Sequence, residues 1–394
     1  MSQDDIVIVS FARTPLGNLL GILKDFSAHA LGSHVLKASI ERAYLKPSDI
    51  HEVIMGCVLP AGQGQAPARQ ASIHAGIPNT TSCTTINKVC GSGMKSIMFS
   101  YDMLKAGTGD IFAAGGMESM TQAPYLLLKA RQGYRLSHST LYDHMMLDGL
   151  EDAYDQGKAM GCFAETCAFQ NHFSRKEQDD FAIQSFERAI KATNENLFKD
   201  EIAPIRLKTK KGDEIISNDE HPFSVDLKRI PTLKPVFEKE GTVTAGNSSS
   251  ISDGAAVLIL MRATDAEKRG IKPLAKILGH ASAAKTPAEF TTAPIDATRK
   301  LLTQLKWSEK DIDLFEVNEA FAVVVLAFMK SLQIPHEKIN IHGGAVALGH
   351  PIGASGARIV ITLLGALKQN HLKRGIATLC IGGGEATAIA IEMI

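Results

Sequence analysis

This chain has no excess of charge of either sign: lysine plus arginine total 42, and aspartate plus glutamate total 42. Such a balance supplies no field for nucleic acid or an anionic membrane surface, and neither is an expected partner; a local basic patch for one anionic ligand stays open. No apolar run approaches the roughly eighteen residues that a membrane-spanning helix needs. There is no Cys-x-x-Cys pair, and Cys162 and Cys167 have no histidine at zinc-finger spacing beside them. No metal is expected. Six cysteines in 394 residues make no disulfide framework. Cys57, Cys83, Cys90, Cys162, Cys167 and Cys380 therefore read as reduced thiols. Asp4 and Asp5 lead straight into the apolar run 6–9, without a basic n-region or an arginine-rich presequence, so the expected compartment is the cytoplasm.

Hydrophobic residues make up 45% of the chain and charged residues 21%, an ordinary globular composition. The length exceeds what one core usually holds and predicts two or three domains. Over the first 120 or so residues, strand-like runs (6–9, 53–58, 83–89, 111–114) alternate with helix-like runs (27–43, 66–75 and one following Gly93). This alternation predicts an α/β fold with a largely parallel sheet covered by helices. Residues 117–246 break the pattern and read as an insertion. It has one clear helix over 175–194, opened by a capping box at Ser174 and Glu177, and a hairpin around Lys211-Gly212. Insertions after strand ends usually carry ligand contacts. The α/β pattern resumes with a strand over 255–261, and a second half begins at 273. There, strands are expected at 274–283, 312–317, 339–341, 376–381 and 387–393, with helices at 296–305, 319–332 and 354–368. Gly91-Ser92-Gly93-Met94-Lys95 echoes Ala354-Ser355-Gly356-Ala357-Arg358, a weak internal repeat. Two similar halves packed together would bring equivalent loops to one site.

Four loops carry residues suited to chemistry. Asn87-Lys88-Val89-Cys90-Gly91-Ser92-Gly93 puts a cysteine between a strand and a helix, followed at once by glycine. A tight strand-to-helix turn aims such a side chain outward, and the helix N-terminus favours a thiolate. The other reading of Cys90 is a small packed hydrophobe. Gly349-His350-Pro351-Ile352-Gly353 centres on one histidine, a base or a satisfied structural imidazole. A dinucleotide loop is disfavoured there, because the Gly-x-Gly-x-x-Gly spacing is missing and Pro351 removes a donor. Cys380-Ile381-Gly382-Gly383-Gly384 offers a second thiol with backbone amides after it. Asn318-Glu319-Ala320-Phe321 precedes an apolar helix, where asparagine also suits an N-cap. All four fall at strand ends, where α/β folds bind ligands.

Together these loops resemble the four signature loops of the thiolases, and the resemblance runs from Arg13-Thr14-Pro15 through Gly115-Gly116-Met117-Glu118-Ser119-Met120 to the C-terminus. The branch most similar is the short-chain acetyl-CoA acetyltransferases. The resemblance implies two duplicated βαβαβαββ halves forming a five-layer αβαβα core. One half would comprise residues 1–116 with 247–272, the other 273–394, and residues 117–246 would be a loop domain over the coenzyme A site. It implies the reversible Claisen condensation of two acetyl-CoA to acetoacetyl-CoA, with coenzyme A as substrate and product and no separate cofactor. Cys90 corresponds to the nucleophile that holds the acetyl group as a thioester, and His350 to its base. Cys380 corresponds to the acid/base that moves the second proton. Asn318 (through a water) and His350 correspond to one oxyanion hole, and the backbone amides of Cys90 and Gly382 to the other. Ser249, Leu150, Met160, Phe290, Ala320 and Phe321 correspond to substrate-lining positions. Related enzymes are usually tetramers built as dimers of dimers, so a homotetramer is implied.

The chain departs from the pattern in three places. Ala159-Met160 stands where many short-chain members have His-Met, Phe290 stands where many carry methionine, and a CoA-contacting arginine is replaced near Phe223. The first change would widen acceptance toward longer or branched acyl groups. A broader degradative 3-ketoacyl-CoA thiolase is thus the alternative enzyme. A condensing enzyme of fatty-acid synthesis lacks a counterpart of Cys380. A non-catalytic acyl-CoA-binding protein would not need all four of Cys90, Asn318, His350 and Cys380.

Overall fold

The computed structural model describes residues 4–209 and 212–394. The first half runs β1 (Ile6–Arg13), a two-residue β2 (Gly17–Asn18), α1 (Ala28–Arg42), β3 (Glu52–Gly56), α2 (Pro67–His74), β4 (Ser82–Ile86), α3 (Ser92–Ala106) and β5 (Ile111–Ser119). The insertion holds β6 (Tyr125–Leu126), β7 (Tyr142–Asp143), α4 (Met160–Asn171), α5 (Arg175–Asn194), β8 (Ile205–Thr209) and β9 (Gly212–Ile216). The chain then returns through β10 (Ser252–Arg262) and α6 (Ala263–Lys268). The second half is β11 (Ala275–Ala284), α7 (Ala293–Leu305), β12 (Leu314–Val317), α8 (Ala322–Leu332), α9 (Ala345–Leu348), α10 (Ser355–Gln369), β13 (Arg374–Ile381) and β14 (Glu385–Met393).

The strands join in the order β12-β13-β14-β11-β1-β10-β5-β3-β4, with β2 on β10, as one ten-stranded sheet. Outward from the β1–β11 seam, the first half places its first, fifth, fourth, second and third main strands. The second half repeats that order as β11-β14-β13-β12, and a lone parallel bridge from Phe315 to Ile339 marks the fifth position. The echo in sequence is therefore a duplication of topology. The strand expected at 339–341 is only that bridge.

Alternation along each strand builds the layers. On β1, Val7 and Val9 face α1 and α2 in one cluster with Val53, Met55 and Val257, while Ile6 and Ile8 face α3 and α10 in another. That second cluster also takes Leu379, Ile389 and Ile391 from the other half. The opposite face of the second half, with Ile376, Ala388 and Ala390, packs on α7 and α8. The result is five layers, helix–sheet–helix–sheet–helix, with α3 and α10 sharing the middle one. Each Val, Leu or Ile so buried contributes about 1.5–3 kcal/mol by area.

The expected largely parallel sheet is corrected. β3 pairs parallel with β4 and β5, and β12 with β13, but every pairing of β1, β10, β11 and β14 is antiparallel. β1, β10 and β14 are buried on both faces, so they read as nearly continuous apolar runs whatever their direction, while β11 is only partly buried. Helix 175–194 and its capping box are as expected: Ser174 Oγ accepts from Glu177 N at 3.2 Å, and Glu177 Oε2 accepts from Ser174 N at 2.7 Å. The insertion also contains α4, which the sequence reading passed over. The expected hairpin is present as β8 and β9, while Lys211 lies outside the described residues.

Candidate active site

The loop after β4 sets Cys90. Asn87 Oδ1 accepts from Val89 N at 2.8 Å, and Ser92 Oγ both accepts from Lys88 N at 2.8 Å and donates to Val89 O at 2.7 Å. These bonds hold Val89 at φ 44°, a left-handed conformation that a β-branched residue rarely adopts. A Cβ on Gly91 would lie 2.3 Å from Ile381 Cδ1, so the tip of that side chain would have to shift to admit one. α3 then starts at Ser92, directly behind the thiol.

The equivalent turn in the second half carries His350. Ser355 Oγ donates to Pro351 O at 2.9 Å, so it accepts from His350 Nδ1–H at 2.6 Å. That assigns the neutral tautomer with a free lone pair on Nε2. Asn318 Nδ2 stands 3.5 Å from Nε2. Burial, with Arg358 adding to it, pushes the imidazole down to about 3, so it stays neutral at physiological pH. Asn318 is not the N-cap of α8. That helix starts at Ala322, and Asn318 Oδ1 faces Arg358 Nη2 at 3.5 Å.

Cys90, His350, Cys380 and Gly382 line one cavity of about 60 Å³, together with Leu150, Met160, Ser249, Phe290, Ala320 and Phe321. Each residue given a catalytic or substrate-lining role from the sequence is thus at this site, with Asn318 just behind the wall against His350. Leu150, Met160, Ser249, Ala320 and Phe321 also line a cavity of about 580 Å³, which continues outward past Ser248, His221 and Ser224. Phe290 belongs to the inner cavity alone, buried edge-to-face on Phe163 with ring centroids 6.4 Å apart. Phe223 is 53% exposed and lines neither cavity.

One electrostatic expectation is overturned. Burial pushes the Cys90 thiol up to about 11, although the backbone N–H groups of Gly382 and of Cys90 itself pull the other way. Desolvation outweighs the helix terminus here. Burial also lifts Cys380 well above the ordinary thiol range, and the nearby Cys90 adds to it. Two neutral thiols and a neutral imidazole therefore share the cavity. A thiolate at Cys90 requires proton transfer to the lone pair on His350, and that pair is available.

Three supporting residues escaped the sequence reading. Ser355 fixes the imidazole, and its only signal was the echo of Ser92. Glu118 accepts from the backbone N–H groups of Val58 (2.9 Å), Leu59 (3.1 Å) and Gly353 (3.0 Å), tying the histidine loop to the first half. Burial pushes its carboxyl up to about 7. Ile352 closes the cavity beside Gly149.

Comparison with known proteins identifies the family. The family model for the thiolase N-terminal domain matches residues 6–264, and that for the thiolase C-terminal domain matches residues 271–393. Acetyl-CoA acetyltransferase 1 of Arabidopsis thaliana is 47% identical over 393 residues, covering 99% of this chain and 94% of that protein. An acetyl-CoA acetyltransferase of Cupriavidus necator is 44% identical, covering 98% and 99%. Among solved structures, the Bacillus anthracis acetyl-CoA acetyltransferase superposes with a TM-score of 0.96 at 39% identity over 99% of both chains. The Acat5 thiolase of Ascaris suum, in complex with coenzyme A, gives a TM-score of 0.94 at 40% identity over 99% of this chain and 100% of that one. Similarity of this extent, across both halves and the insertion, means that the chain belongs to the thiolase family.

Proposed function

We propose that this chain is an acetyl-CoA acetyltransferase, which condenses two acetyl-CoA reversibly to acetoacetyl-CoA and coenzyme A. The observation that carries the reading is the meeting of Cys90, His350, Cys380 and the Gly382 amide in one small cavity at the end of a long channel. His350 Nε2 takes the Cys90 proton as sulfur attacks the acetyl carbonyl. The tetrahedral oxyanion is met by the N–H groups of Cys90 and Gly382, both already aimed at the sulfur. On collapse, coenzyme A leaves as thiolate and takes the Cys380 proton, which leaves acetyl-Cys90. A second acetyl-CoA then enters with its thioester oxygen toward Nε2–H of His350 and, through a water, the Asn318 amide. The Cys380 thiolate removes its α-proton, and the enolate attacks acetyl-Cys90. Expulsion of the Cys90 thiolate, reprotonated by His350, closes the cycle with every proton accounted for. The donors must be preformed, because an α-carbanion is far more basic than either thiol.

Ser249, Leu150, Ala320 and Phe321 line the pantetheine path, and Met160 with Phe290 closes the acyl end. An inner cavity of about 60 Å³, with Met160 and Phe290 in its wall, favours a short acyl group. This observation opposes the wider acceptance expected from the loss of a histidine at Ala159. A thiolysis series from acetoacetyl-CoA to longer and 2-methyl 3-ketoacyl-CoA, with Cys90→Ala as control, tests the reading. Steep loss beyond four carbons supports it, and equal turnover along the series replaces it with the broad-range 3-ketoacyl-CoA thiolase.

The assembly we assign is a homotetramer, a dimer of dimers. It is supported by the open edge strand β4 and by the exposed apolar side chains Tyr125, Leu127, Leu136, Leu141 and Tyr142. The cysteines Cys57, Cys83, Cys90, Cys162, Cys167 and Cys380 are free thiols, which suits a reducing compartment such as the cytoplasm. Among the described residues, no helix is long and apolar enough to cross a membrane.

A further inference from the structure

The two backbone N–H groups aimed at the Cys90 sulfur belong to different halves of the molecule. That of Cys90 lies in the loop after β4, and that of Gly382 in the turn between β13 and β14, although β4 and β13 stand near opposite ends of the strand order. The Cys90 loop is fixed from within by Asn87 and Ser92. The Gly382 turn has no such means. It closes at the pair Ile381–Glu385, and its tip is Gly382, Gly383 and Gly384 alone, the last two at φ 88° and 87°. Three glycines have no side chains to pack and the widest backbone freedom of any residues.

Two kinds of contact steady this tip. Lys285 N donates to Gly384 O at 2.7 Å, at the end away from Gly382. On the other side, Val89 Cγ1 lies 3.7 Å from where a Cβ on Gly382 would stand, an ordinary van der Waals distance. Such contact limits approach but does not orient a peptide. Orientation needs a polar link to the first half, and Lys88 supplies it. Its Nζ donates to Glu385 Oε2, across 297 residues of sequence. Lys88 stands two residues before Cys90, and Glu385 three after Gly382. The ion pair therefore spans the gap between the two donors.

Stability alone does not account for the pair. Its side chains are 22% and 38% exposed, and ion pairs so placed contribute little to folding. Nor does it act on the thiol through its field, since the charge that bears most on Cys90 is that of Glu118. Lys95 feels both charges, but its Nζ sits over the Phe99 ring, 4.3 Å from the centroid, so Lys88 is the cation that Glu385 holds.

We propose that the Lys88–Glu385 ion pair is a positioning clamp: it ties the glycine tip of the second half to the nucleophile loop of the first, and so keeps the Gly382 N–H on the Cys90 sulfur and on the oxyanion that forms beside it. Its part in turnover rests on the acetyltransferase reading. Its effect on the free thiol does not.

Three variants test the clamp: Lys88→Met, Glu385→Gln, and the charge swap Lys88→Glu with Glu385→Lys. Each is read by iodoacetamide alkylation of Cys90 in the substrate-free enzyme at pH 8, by acetyl exchange between acetyl-CoA and dephospho-CoA, and by urea unfolding. A thiolate that loses the Gly382 N–H is less stable, so less of it is present to react. Both single variants should slow alkylation by about three- to tenfold. Both should lower kcat for exchange by about tenfold, less than the hundredfold or more that follows complete loss of an oxyanion donor, with KM and the urea midpoint little changed. The swap should restore most of both rates. A field effect would instead move the two single variants in opposite directions, because one removes a positive charge and the other a negative one. Opposite directions, unchanged alkylation, or a swap as slow as the single variants overturns the clamp. Should a single variant fail to fold, Lys88→Gln with Glu385→Gln leaves no lone charge and is read in the same way, with the same slowing expected. Failure of the wild type to exchange acetyl groups would overturn the acetyltransferase reading, and the alkylation rates would still decide for or against the clamp.

Discussion

At Cys90 two effects compete, and magnitude decides between them. The helix terminus behind the thiol favours the anion, typically by 0.3–1 kcal/mol. The apolar cavity disfavours it and prevails, with the thiol pushed up to about 11. Alkylation of Cys90 in the substrate-free enzyme should therefore rise about tenfold per pH unit between about pH 7 and pH 10, since only the thiolate reacts. Iodoacetamide labelling with peptide mapping measures this, and a plateau by about pH 8 would contradict it. A second outcome concerns Ser355, which holds His350 in the tautomer that leaves Nε2 free. Ser355→Ala should lower kcat by about a hundredfold with KM little changed, because the base is misdirected and the binding surface is intact. A comparable rise in KM would argue against this role. The residues that touch the reacting atoms were legible in sequence, since a cysteine or histidine amid glycines at a strand end has few structural reasons to be there. Ser355, Glu118 and Arg358 were not: Glu118 and Arg358 act through partners far away in the chain, and the bond of Ser355 to His350, though local, does not show in the sequence pattern. A serine at a helix start reads as a cap, and an arginine in a helix reads as surface.

Between elements, the site depends on how closely α3 and α10 approach. Gly93 and Gly356 face each other's helix: a Cβ on Gly93 would lie 2.9 Å from Ala357 N, and one on Gly356 only 2.4 Å from Met94 N. Alanine in a helix gains about 1 kcal/mol over glycine. Here the obstruction is backbone, which cannot move aside, and overpacking of a tight core costs about 1–3 kcal/mol or more. Gly356→Ala should thus be destabilising on balance, by about 2 kcal/mol, read as a lower urea midpoint at constant slope. An unchanged or higher midpoint would mean that the helices can separate. The internal echo carried this contact in plain view, because the glycines recur for a packing reason. Strand direction was hidden, because β1, β10 and β14 are buried on both faces and their alternation is lost. α4 was hidden for a related reason. Phe163, Ala164, Cys167 and Ala168 pack into a cluster with Phe290, Val323 and Val324, and the helix has no polar stripe to betray its period.

Across the whole molecule, the insertion must be held over the core for the channel to exist, and arginines near the start of the chain do this. Arg13 Nε binds Glu201 Oε2 at 2.8 Å, and its Nη1 and Nη2 bind Asp219 at 2.8 and 3.0 Å, all fully buried. Arg42 caps the carbonyls of Asp200, Glu201 and Ile202. This attachment could not be seen in the sequence, because the partners of Arg13 lie 188 and 206 residues on. Arg13→Met removes the cation and leaves two carboxylates buried without it, a loss of about 3–5 kcal/mol near neutral pH. The loss should depend on pH in a definite sense. Burial already holds the Glu201 carboxyl above its ordinary range despite Arg13, and without Arg13 it rises further. A carboxyl whose folded value is raised keeps its proton where the unfolded chain has lost it, so its contribution to stability falls as pH rises above the unfolded value, until the folded value is passed. The deficit of Arg13→Met relative to wild type should therefore be largest at about pH 8 and shrink toward about pH 5, as Glu201 becomes neutral in the variant. Urea unfolding at both pH values measures it. A deficit independent of pH would mean that the variant loses packing around the guanidinium, beside Phe198, and not charge.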